Sequence, residues 1–287
     1  MRINDYFNWS KRSYVMGILN VTPDSFSGDG FADAYDPVEA ALNQARKFVH
    51  DGADILDVGG ESTRPGADYV GGQDEINRVV PVICALRDEF PNIAISIDTY
   101  KASVADAAFA AGANILNDVW ALRGDDDMAN VMARRKLPVI LMHNKSRPAD
   151  TVLDGRLGGS YMAPDYKDFL PEVYQELQAI ADYALSQGIE KDQIILDPGV
   201  GFGKTVEQNM MLINHLDHFK SLGYPLLLAG SRKSFIGHVL DVPPDQREEG
   251  SVAVVALGIA RGANVVRVHD VCTAKRIVKM TDAMLRT

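Results

Sequence analysis

The same short junction occurs three times in this chain, and it constrains the fold more than any other feature. Each copy is Gly-Ala followed by Asp or Asn, and each leads directly into a short aliphatic run. The copies are Gly52-Ala53-Asp54 before ILDVGG, Gly112-Ala113-Asn114 before ILNDV and Gly262-Ala263-Asn264 before VVRVHD. The glycine follows a helical pattern, where glycine commonly ends a helix, and the aliphatic run is typical of a buried strand. The junction therefore predicts a repeated helix-to-strand turn.

Outward from these junctions, the sequence predicts eight short, mostly aliphatic strands with helices between them. Apolar residues recur at three- and four-residue steps over residues 38–50 and 75–89, which indicates helices. A longer helical stretch after the seventh strand is interrupted at Pro243-Pro244. The strands are predicted at residues 14–19, 54–58, 93–97, 114–116, 138–142, 194–196, 226–229 and 265–268. This alternation predicts an α/β fold, a (β/α)8 TIM barrel, with an open doubly wound sheet as the alternative.

Size and charge restrict the class of protein further. A chain of 287 residues with 46% hydrophobic content fits one barrel domain over residues 1–287, and no segment has the composition of a domain linker. The net charge of -10 disfavours binding to nucleic acid or to an anionic membrane surface. No run of about eighteen apolar residues occurs and the first fifteen residues lack a signal-like apolar core, so we expect a cytoplasmic protein. Cys84 and Cys272 have no metal-site spacing and are expected to be ordinary reduced thiols.

The segment from residue 194 brings a carboxylate to the end of a strand. Residues 194–196 are aliphatic, and Asp197 follows directly, before Pro198 and three alternating glycines. Gly203-Lys204-Thr205 matches the end of a P-loop, but Pro198 stands where its first glycine is required, so a nucleotide loop is disfavoured. Thr205 is positioned to cap the next helix. Asp197 is therefore predicted to face a ligand.

Nearly every predicted strand ends in polar residues. In a parallel barrel these ends lie on one face, where the loops build the active site. The acceptors Asp98, Asn117 and Asp197 suit a heterocycle with adjacent N–H donors. The basic residues suit phosphate, and they are Arg64, Lys233, Arg267 and His269. The polar set is Asn20, Asp57, Asp98, Asn117, Asp118, His143, Asp197, Ser231, Arg232, Lys233, Arg267 and His269, with Arg64 from the second long loop. The sequence thus predicts a substrate that combines a polar heterocycle with a phosphate group.

The same residues bear on metal binding and on the type of catalysis. Asn20 and Asp24 offer oxygen ligands to Mg²⁺, which commonly bridges substrate phosphates. The histidines form no H-E-x-x-H or Cys/His framework, so zinc is disfavoured. There is no G-x-S-x-G motif and no evident Cys/His pair, so covalent catalysis has little support. Electrostatic catalysis at a phosphate fits better.

Seven segments, in this order, resemble dihydropteroate synthase over nearly the whole chain. One such segment alone would be weak evidence, but seven in the correct order are specific. The segments are GILNVTPDSFSGDG (17–30), DVGGESTRPG (57–66), SIDT (96–99), Asn117-Asp118, DPGVGFGKT (197–205), SRKSFIG (231–237) and RVHDV (267–271).

The resemblance implies a cytoplasmic (β/α)8 enzyme of folate biosynthesis, usually a homodimer. Such an enzyme joins 6-hydroxymethyl-7,8-dihydropterin pyrophosphate to p-aminobenzoate with the help of Mg²⁺, and it releases pyrophosphate and 7,8-dihydropteroate. Sulfonamides compete with p-aminobenzoate in this family.

The resemblance also implies a role for each matching residue. Asp98, Asn117, Asp197 and Lys233 would hold the pterin. Arg267 and His269 would hold the pyrophosphate with Asn20 and Mg²⁺, and they would form the catalytic set together with Lys233. The residues implied for the p-aminobenzoate side are Phe26, Thr63, Arg64, Pro65, Phe202, Lys233 and Ser234.

One segment departs from the family pattern, and two other functions have to be weighed. After Met142-His143 the chain continues Asn144-Lys145-Ser146, where the family more often has a second Met, so no contacts are assigned to the loop at 145–164. A methyltetrahydrofolate–corrinoid methyltransferase would share the acidic pterin pocket, but it does not need residues 62–65 or 231–233. A non-catalytic pterin binder is disfavoured because no expected motif is missing.

Overall fold

A parallel β-sheet forms the centre of the part of the chain that this computed structural model describes, which is residues 7–22, 36–62, 67–146, 151–152, 160–162 and 164–286. The strands of that part, in chain order, are β1 Tyr14–Asn20, β2 Ile55–Gly59, β3 Ala94–Asp98, β4 Ile115–Asp118, β5 Val139–Met142, β6 Thr151–Val152, β7 Ser160–Tyr161, β8 Ile194–Asp197, β9 Leu227–Leu228 and β10 Val265–Val268. All of them except β6 and β7 belong to the central sheet.

The central sheet closes on itself. Its order is β8-β5-β4-β3-β2-β1-β10-β9, and every pair is parallel. The two outermost strands meet through a parallel bridge between Leu196 and Leu226, and the Leu196 N–H donates to the Pro225 carbonyl at 2.9 Å. The predicted (β/α)8 barrel is therefore confirmed, and the open doubly wound sheet is wrong because the edges are joined.

Helices surround the barrel and follow the predicted alternation. The predicted helices at 38–50 and 75–89 are confirmed with slightly wider bounds. In the described residues the α-helices are Pro37–Asp51, Gly72–Glu89, Ala102–Ala111, Met128–Arg135, Phe169–Ser186, Val206–Asn214, Ser234–Leu240, Glu248–Ala260 and Val271–Leu285, with 3₁₀ turns at Lys191–Gln193, Leu216–Leu222 and Pro244–Gln246. None of these described helices has the length and apolar content that crossing a bilayer requires.

The repeated junction has the backbone that its sequence predicts. Gly52, Gly112 and Gly262 have φ angles of 93°, 117° and 102°, which is the left-handed region that favours glycine. The Asp or Asn two residues later has a function that the pattern did not reveal. Its backbone N–H and its side-chain oxygen both bond one residue in the neighbouring part of the barrel, so it completes a strand pair. The pairs are Asp54 with Val15 (2.8 and 2.9 Å), Asn114 with Ile95 (2.8 and 2.8 Å) and Asn264 with Leu226 (2.8 and 2.9 Å).

Over the described residues, apolar side chains fill the interior of the barrel. An outer layer of buried residues packs between sheet and helices. At the N-terminal end, the rings of Phe7, Trp9 and Tyr14 pack with centroids 4.8 to 5.4 Å apart. The buried residues of the interior are Phe7, Tyr14, Met16, Ile55, Ala94, Ile115, Ile140, Ile195, Leu227, Ala229 and Val265. Polar residues that follow the strands therefore converge at the opposite end.

Candidate active site

Arg267, on β10, bonds one acid of β2 and one acid of β3 in the barrel mouth. Its Nε donates to Asp57 Oδ2 and its Nη2 donates to Asp98 Oδ2, both at 2.6 Å. Asn117 Nδ2 donates to the same oxygen of Asp57 at 3.3 Å. Asp57 is fully buried and Asp98 nearly so. The sequence places both acids in the polar ring, but it contains no signal that Asp57 is the partner of Arg267.

Burial and ion pairing act against each other in this cluster. Burial raises the pKa of Asp98 to about 7, and the charge of Arg267 opposes that rise. Burial alone would lower the pKa of Arg267, but Asp57 and Asp98 raise it above its ordinary value. The guanidinium therefore stays charged. Among the described residues, Asp57 Oδ1 and Asp98 Oδ1 are buried without a hydrogen-bond partner, which leaves acceptors for a ligand.

Asp197 and Lys233 form a second charged pair beside this cluster. Asp197 is buried, its Oδ1 accepts from the Gly199 N–H at 2.7 Å, and burial raises its pKa while Lys233 lowers it. Desolvation lowers the pKa of Lys233 to about 8, with Asp197 opposing the change. Lys233 Nζ donates to the Val200 carbonyl and lies 4.6 Å from the centre of the Phe202 ring. The glycine-rich turn after β8 thus contacts Lys233. The family resemblance assigns this lysine both to the pterin and to the p-aminobenzoate side.

The turn that bears Lys233 is held by bonds to its backbone. Arg232 has a φ of 56°, its N–H donates to Ser251 Oγ at 3.0 Å, and its carbonyl accepts from the buried Arg247 at 3.0 Å. Ser231 Oγ lies 3.1 Å from His269 Nδ1. This contact brings the turn after β9 and the end of β10 together, so Lys233 and His269 lie on adjoining parts of the rim. Ser234 begins the next helix, directly after Lys233.

Two polar residues of the predicted ring are engaged in structure instead. Asp118 is fully buried and accepts from the N–H groups of Trp120 at 2.8 Å and Leu122 at 2.7 Å. Burial raises the pKa of Asp118 to about 6. His143 Nε2 lies 2.6 Å from Glu176 Oε2, and its Nδ1 lies 3.1 Å from Lys204 Nζ. Both side chains therefore fix loops rather than point into the mouth.

Of the remaining predicted site residues, the structure describes Asn20 but not the residues of the two long loops. Asn20 ends β1, is half-buried, and has Gly59 as its partner in register. Within the described residues, no group of three or more His, Cys, Asp or Glu side chains is arranged to hold a metal ion. The predictions for Asp24, Phe26, Thr63, Arg64 and Pro65 lie outside the described residues.

Two buried lysines were missed as parts of the site framework. Lys204 entered the sequence analysis only as a partial P-loop match, and that motif fragment was the one available signal. Lys101 Nζ bonds Glu61 at 2.7 Å and Glu75 at 2.6 Å, and Glu61 Oε1 also accepts from the Val70 N–H at 2.8 Å. These contacts anchor both ends of the second long loop. Three of the residues predicted for the p-aminobenzoate side, Thr63, Arg64 and Pro65, belong to this loop.

The site combines a closed barrel with a buried acid–amide set and a cationic rim, and comparison with known proteins identifies its class. The family model described as "Pterin binding enzyme" matches residues 16–269. The chain belongs to that family.

Its relatives define the branch more narrowly. Dihydropteroate synthase of Bacillus subtilis is 47% identical over 97% of this chain and 90% of its own length. The enzyme of that name from Clostridium beijerinckii is 45% identical over 98% and 97%. Solved structures include dihydropteroate synthase of Clostridium difficile with pteroic acid (TM-score 0.87, 45% identity, 98% and 100% coverage) and that of Xanthomonas albilineans with 4-aminobenzoic acid (TM-score 0.86, 40% identity, 96% and 94% coverage). Within the pterin-binding enzymes the chain is thus of the dihydropteroate synthase type, a transferase.

Proposed function

We propose that this chain condenses 6-hydroxymethyl-7,8-dihydropterin pyrophosphate with p-aminobenzoate, yielding 7,8-dihydropteroate and pyrophosphate in folate biosynthesis. The observation that supports this most directly is the meeting of Asp98, Asn117 and Asp197 with Arg267 and Lys233 on one rim. Pteroic acid and 4-aminobenzoic acid in two structural relatives are ligands of the same chemistry.

The pterin side of the site uses buried acceptors. A pterin has an amino group beside a ring N–H, and a carboxylate can accept from both side by side. Asp197 is proposed to do this with both carboxylate oxygens, because Oδ1 keeps a second lone pair beside its bond from the Gly199 N–H, while Asp98 Oδ1 and Asn117 bond the rest of the ring. Lys233 lies against the same group of residues.

The proposed reaction is a displacement at the methylene carbon of the pterin. The amine nitrogen of p-aminobenzoate forms a bond to that carbon, the C–O bond to pyrophosphate breaks, and its electron pair leaves with pyrophosphate. The amine proton passes to solvent. Arg267, His269 and Lys233 supply positive charge or hydrogen-bond donors where negative charge develops, so no residue of the chain acts as a nucleophile.

The p-aminobenzoate side is proposed to lie around Phe202, Lys233 and Ser234. Phe202 presents its ring face 4.6 Å from the Lys233 ammonium, which suits an aromatic acid that packs beside the ring with its carboxylate near the lysine. Phe26, Thr63, Arg64 and Pro65 are proposed to complete this side. Because a sulfonamide drug is bound in the structure of a Yersinia pestis relative, sulfonamides are expected to compete with p-aminobenzoate here.

Mg²⁺ is the proposed cofactor, and Asn20 would supply one amide oxygen to it. Asp57 and Asp98 are buried and already bonded to Arg267. One neutral protein ligand fits Mg²⁺ because this ion commonly keeps several waters and bridges substrate phosphates. When bound there, Mg²⁺ would offset the charge of the pyrophosphate.

Release of pyrophosphate tests the proposal. Purified protein with Mg²⁺ and both substrates is expected to release pyrophosphate and dihydropteroate in equal amounts, and omission of p-aminobenzoate is expected to stop product formation. A corrinoid-type methyltransferase would give neither product, and a pterin-binding protein without activity would bind the pterin without release. Either result would reject the proposed reaction.

We further propose that the chain acts in the cytoplasm as a homodimer. The three helices Val206–Asn214, Ser234–Leu240 and Glu248–Ala260 pack against one another and expose several apolar side chains. The exposed residues are Met210, Met211, Val239, Leu240 and Leu257. An apolar surface shared by adjacent helices supports self-association.

A further inference from the structure

The buried side chain of Lys204 bonds the turn at 199–202, which also contacts Lys233. Lys204 is 6% exposed, and its Nζ lies 2.9 Å from the Gly199 carbonyl, 2.9 Å from the Phe202 carbonyl and 3.1 Å from His143 Nδ1. An ammonium group has three donors and no acceptor, so the three nearest acceptors match it, and the His143 carbonyl lies farther away at 3.5 Å. Burial lowers the pKa of Lys204 to about 7, while Asp197 opposes the change. The two carbonyl bonds hold both ends of the turn at 199–202, and the third bond joins Lys204 to His143.

The histidine that accepts from Lys204 is itself held in one form. Burial lowers the pKa of His143 to about 4, so its ring is neutral near pH 7. Its Nδ1 accepts from Lys204, and its Nε2–H therefore donates to Glu176 at 2.6 Å. Glu176 belongs to the helix Phe169–Ser186 and also pairs with Lys145. Lys204 is thus connected to a helix outside the barrel.

The same turn is packed so tightly that it has little room to move. A Cβ on Gly199 would lie 1.9 Å from the His143 carbonyl, and a Cβ on Gly201 would lie 2.5 Å from Lys233 Cδ. The Gly201 N–H donates to Asn209 at 2.6 Å. Any change in the position of the turn would therefore move the Val200 carbonyl and the Phe202 ring, both of which contact Lys233.

We propose that Lys204 is a positioning residue for the p-aminobenzoate side of the site. Two of its hydrogen bonds hold Gly199 and Phe202, the ends of the turn at 199–202, and the Val200 carbonyl within that turn accepts from Lys233. Lys204 itself touches neither proposed substrate. Asp197 ends β8, where it pairs in register with Met142 of β5, and its one hydrogen bond to the turn comes from the Gly199 N–H. The other proposed pterin residues, Asp98 and Asn117, are bonded to Arg267 and Asp57 instead, so the pterin pocket should depend on Lys204 less than the p-aminobenzoate side does, an inference that rests on the proposed function.

The test replaces Lys204 by Met, which keeps the side-chain length but removes the donors. In Lys204→Met, KM for p-aminobenzoate is expected to rise about tenfold, the equivalent of one charge-assisted hydrogen bond, with KM for the dihydropterin substrate changing less than about twofold. The matched control is Lys275→Met, which removes another partly buried lysine, bonded to Asp54 at the opposite end of the barrel. Both KM values are expected to stay unchanged in the control. Loss of folded protein would lower the rate but would not raise one KM selectively.

A second measurement needs no substrate. The ¹³Cε resonance of Lys233, identified by its loss in Lys233→Arg, is expected to shift in Lys204→Met and to stay in place in Lys275→Met. If both the resonance and the KM values are unchanged in Lys204→Met, the positioning role is rejected. If the wild-type chain releases no pyrophosphate, the proposed function fails, and the resonance alone decides whether Lys204 positions Lys233.

His143→Gln provides a second route if Lys204→Met does not fold. This variant weakens one of the three bonds and leaves the two carbonyl acceptors of Lys204 in place. It is expected to shift the Lys233 resonance and raise KM for p-aminobenzoate in the same direction, by about half as much on a logarithmic scale. A folded His143→Gln protein with wild-type values of both would reject the inference.

Discussion

Arg267 has two functions in the barrel mouth, and a single substitution would remove both at once. Its guanidinium neutralises Asp57 and Asp98, which would otherwise be two buried carboxylates side by side. It also reaches the rim, since its side chain is 19% exposed. A ligand can therefore be bound by the same group that stabilises the fold. Structural and catalytic effects have to be separated by design.

Arg267→Ala is expected to lower both stability and turnover. The free energy of unfolding should fall by about 3 kcal/mol because two carboxylates lose their counter-charge in a buried setting. Turnover should fall by about 100-fold because the departing pyrophosphate loses a donor. Urea unfolding and pyrophosphate release measure the two effects. Adding Asp57→Asn to Arg267→Ala should restore part of the stability but not the turnover; recovery of turnover would mean that Arg267 acts only through the fold.

Asp197→Asn tests the pterin contact without disturbing the turn. The Asn side-chain oxygen can still accept from the Gly199 N–H, but the second oxygen becomes an NH₂ donor that faces the donors of the pterin. The dissociation constant for the pterin, measured by calorimetry, should rise by about 10- to 150-fold, since a hydrogen bond to a charged group contributes about 1.5–3 kcal/mol. An unchanged constant would remove Asp197 from the pocket. The melting temperature serves as the control for the fold.

For single residues, the sequence predicted where a side chain lies better than it predicted which residue that side chain bonds. Asp98, Asn117 and Asp197 lie at strand ends because parallel strands of a barrel present their C-terminal ends together, and a strand pattern is enough to predict this. The bond between His143 and Lys204 joins residues 61 positions apart. No local pattern encodes such a contact, so His143 was grouped with the residues that face the ligand.

Among the elements, the helix-to-strand junctions show why Asp or Asn follows Gly-Ala. The side chain of Asn264 accepts from the Leu226 N–H, and its own N–H donates back to the Leu226 carbonyl. Leu226 also forms the bridge that closes the barrel with Leu196. The junction therefore supports closure at the shortest barrel strand, β9, which has two residues.

Asn264→Ala is expected to lower the free energy of unfolding by about 1–3 kcal/mol because the Leu226 N–H loses its side-chain acceptor. Asn264→Asp is the matched control, since its carboxylate keeps the acceptor. Urea unfolding of both variants measures the difference. Equal stability of Asn264→Ala and the wild-type chain would show that the pairing contributes nothing to closure.

Most barrel elements could be predicted because short aliphatic runs between helices have few other uses. The hairpin of β6 and β7 was not predicted and lies in the loop after β5. Its strands have two residues each, too few to show any alternation of apolar and polar positions. The strand predicted at 226–229 is likewise shorter than expected, with Leu227–Leu228 assigned.

For the molecule as a whole, His143 gives the folded state a distinct response to acid. Its folded pKa of about 4 lies below its ordinary value of 6.5, so the unfolded chain binds more protons between these two values. The stability it contributes is complete above about pH 6.5 and is lost as pH falls toward 4. His143→Gln should therefore show a smaller loss of unfolding free energy from pH 6.5 to 4.5, measured by urea titration. Equal losses in the two proteins would contradict the burial of a neutral His143.

Self-association of the chain depends on where apolar side chains lie on the outside of the barrel. Leu240 and Leu257 are 46% and 39% exposed on two helices that pack against each other. Sedimentation of the wild-type chain should give twice the 31.3 kDa chain mass, and Leu240→Glu with Leu257→Glu should give the monomer. Met280→Glu, which changes a residue exposed to 59% on the last helix, should leave the dimer intact. A monomeric wild-type chain would reject the dimer, whereas disruption by Met280→Glu alone would move the interface to the last helix.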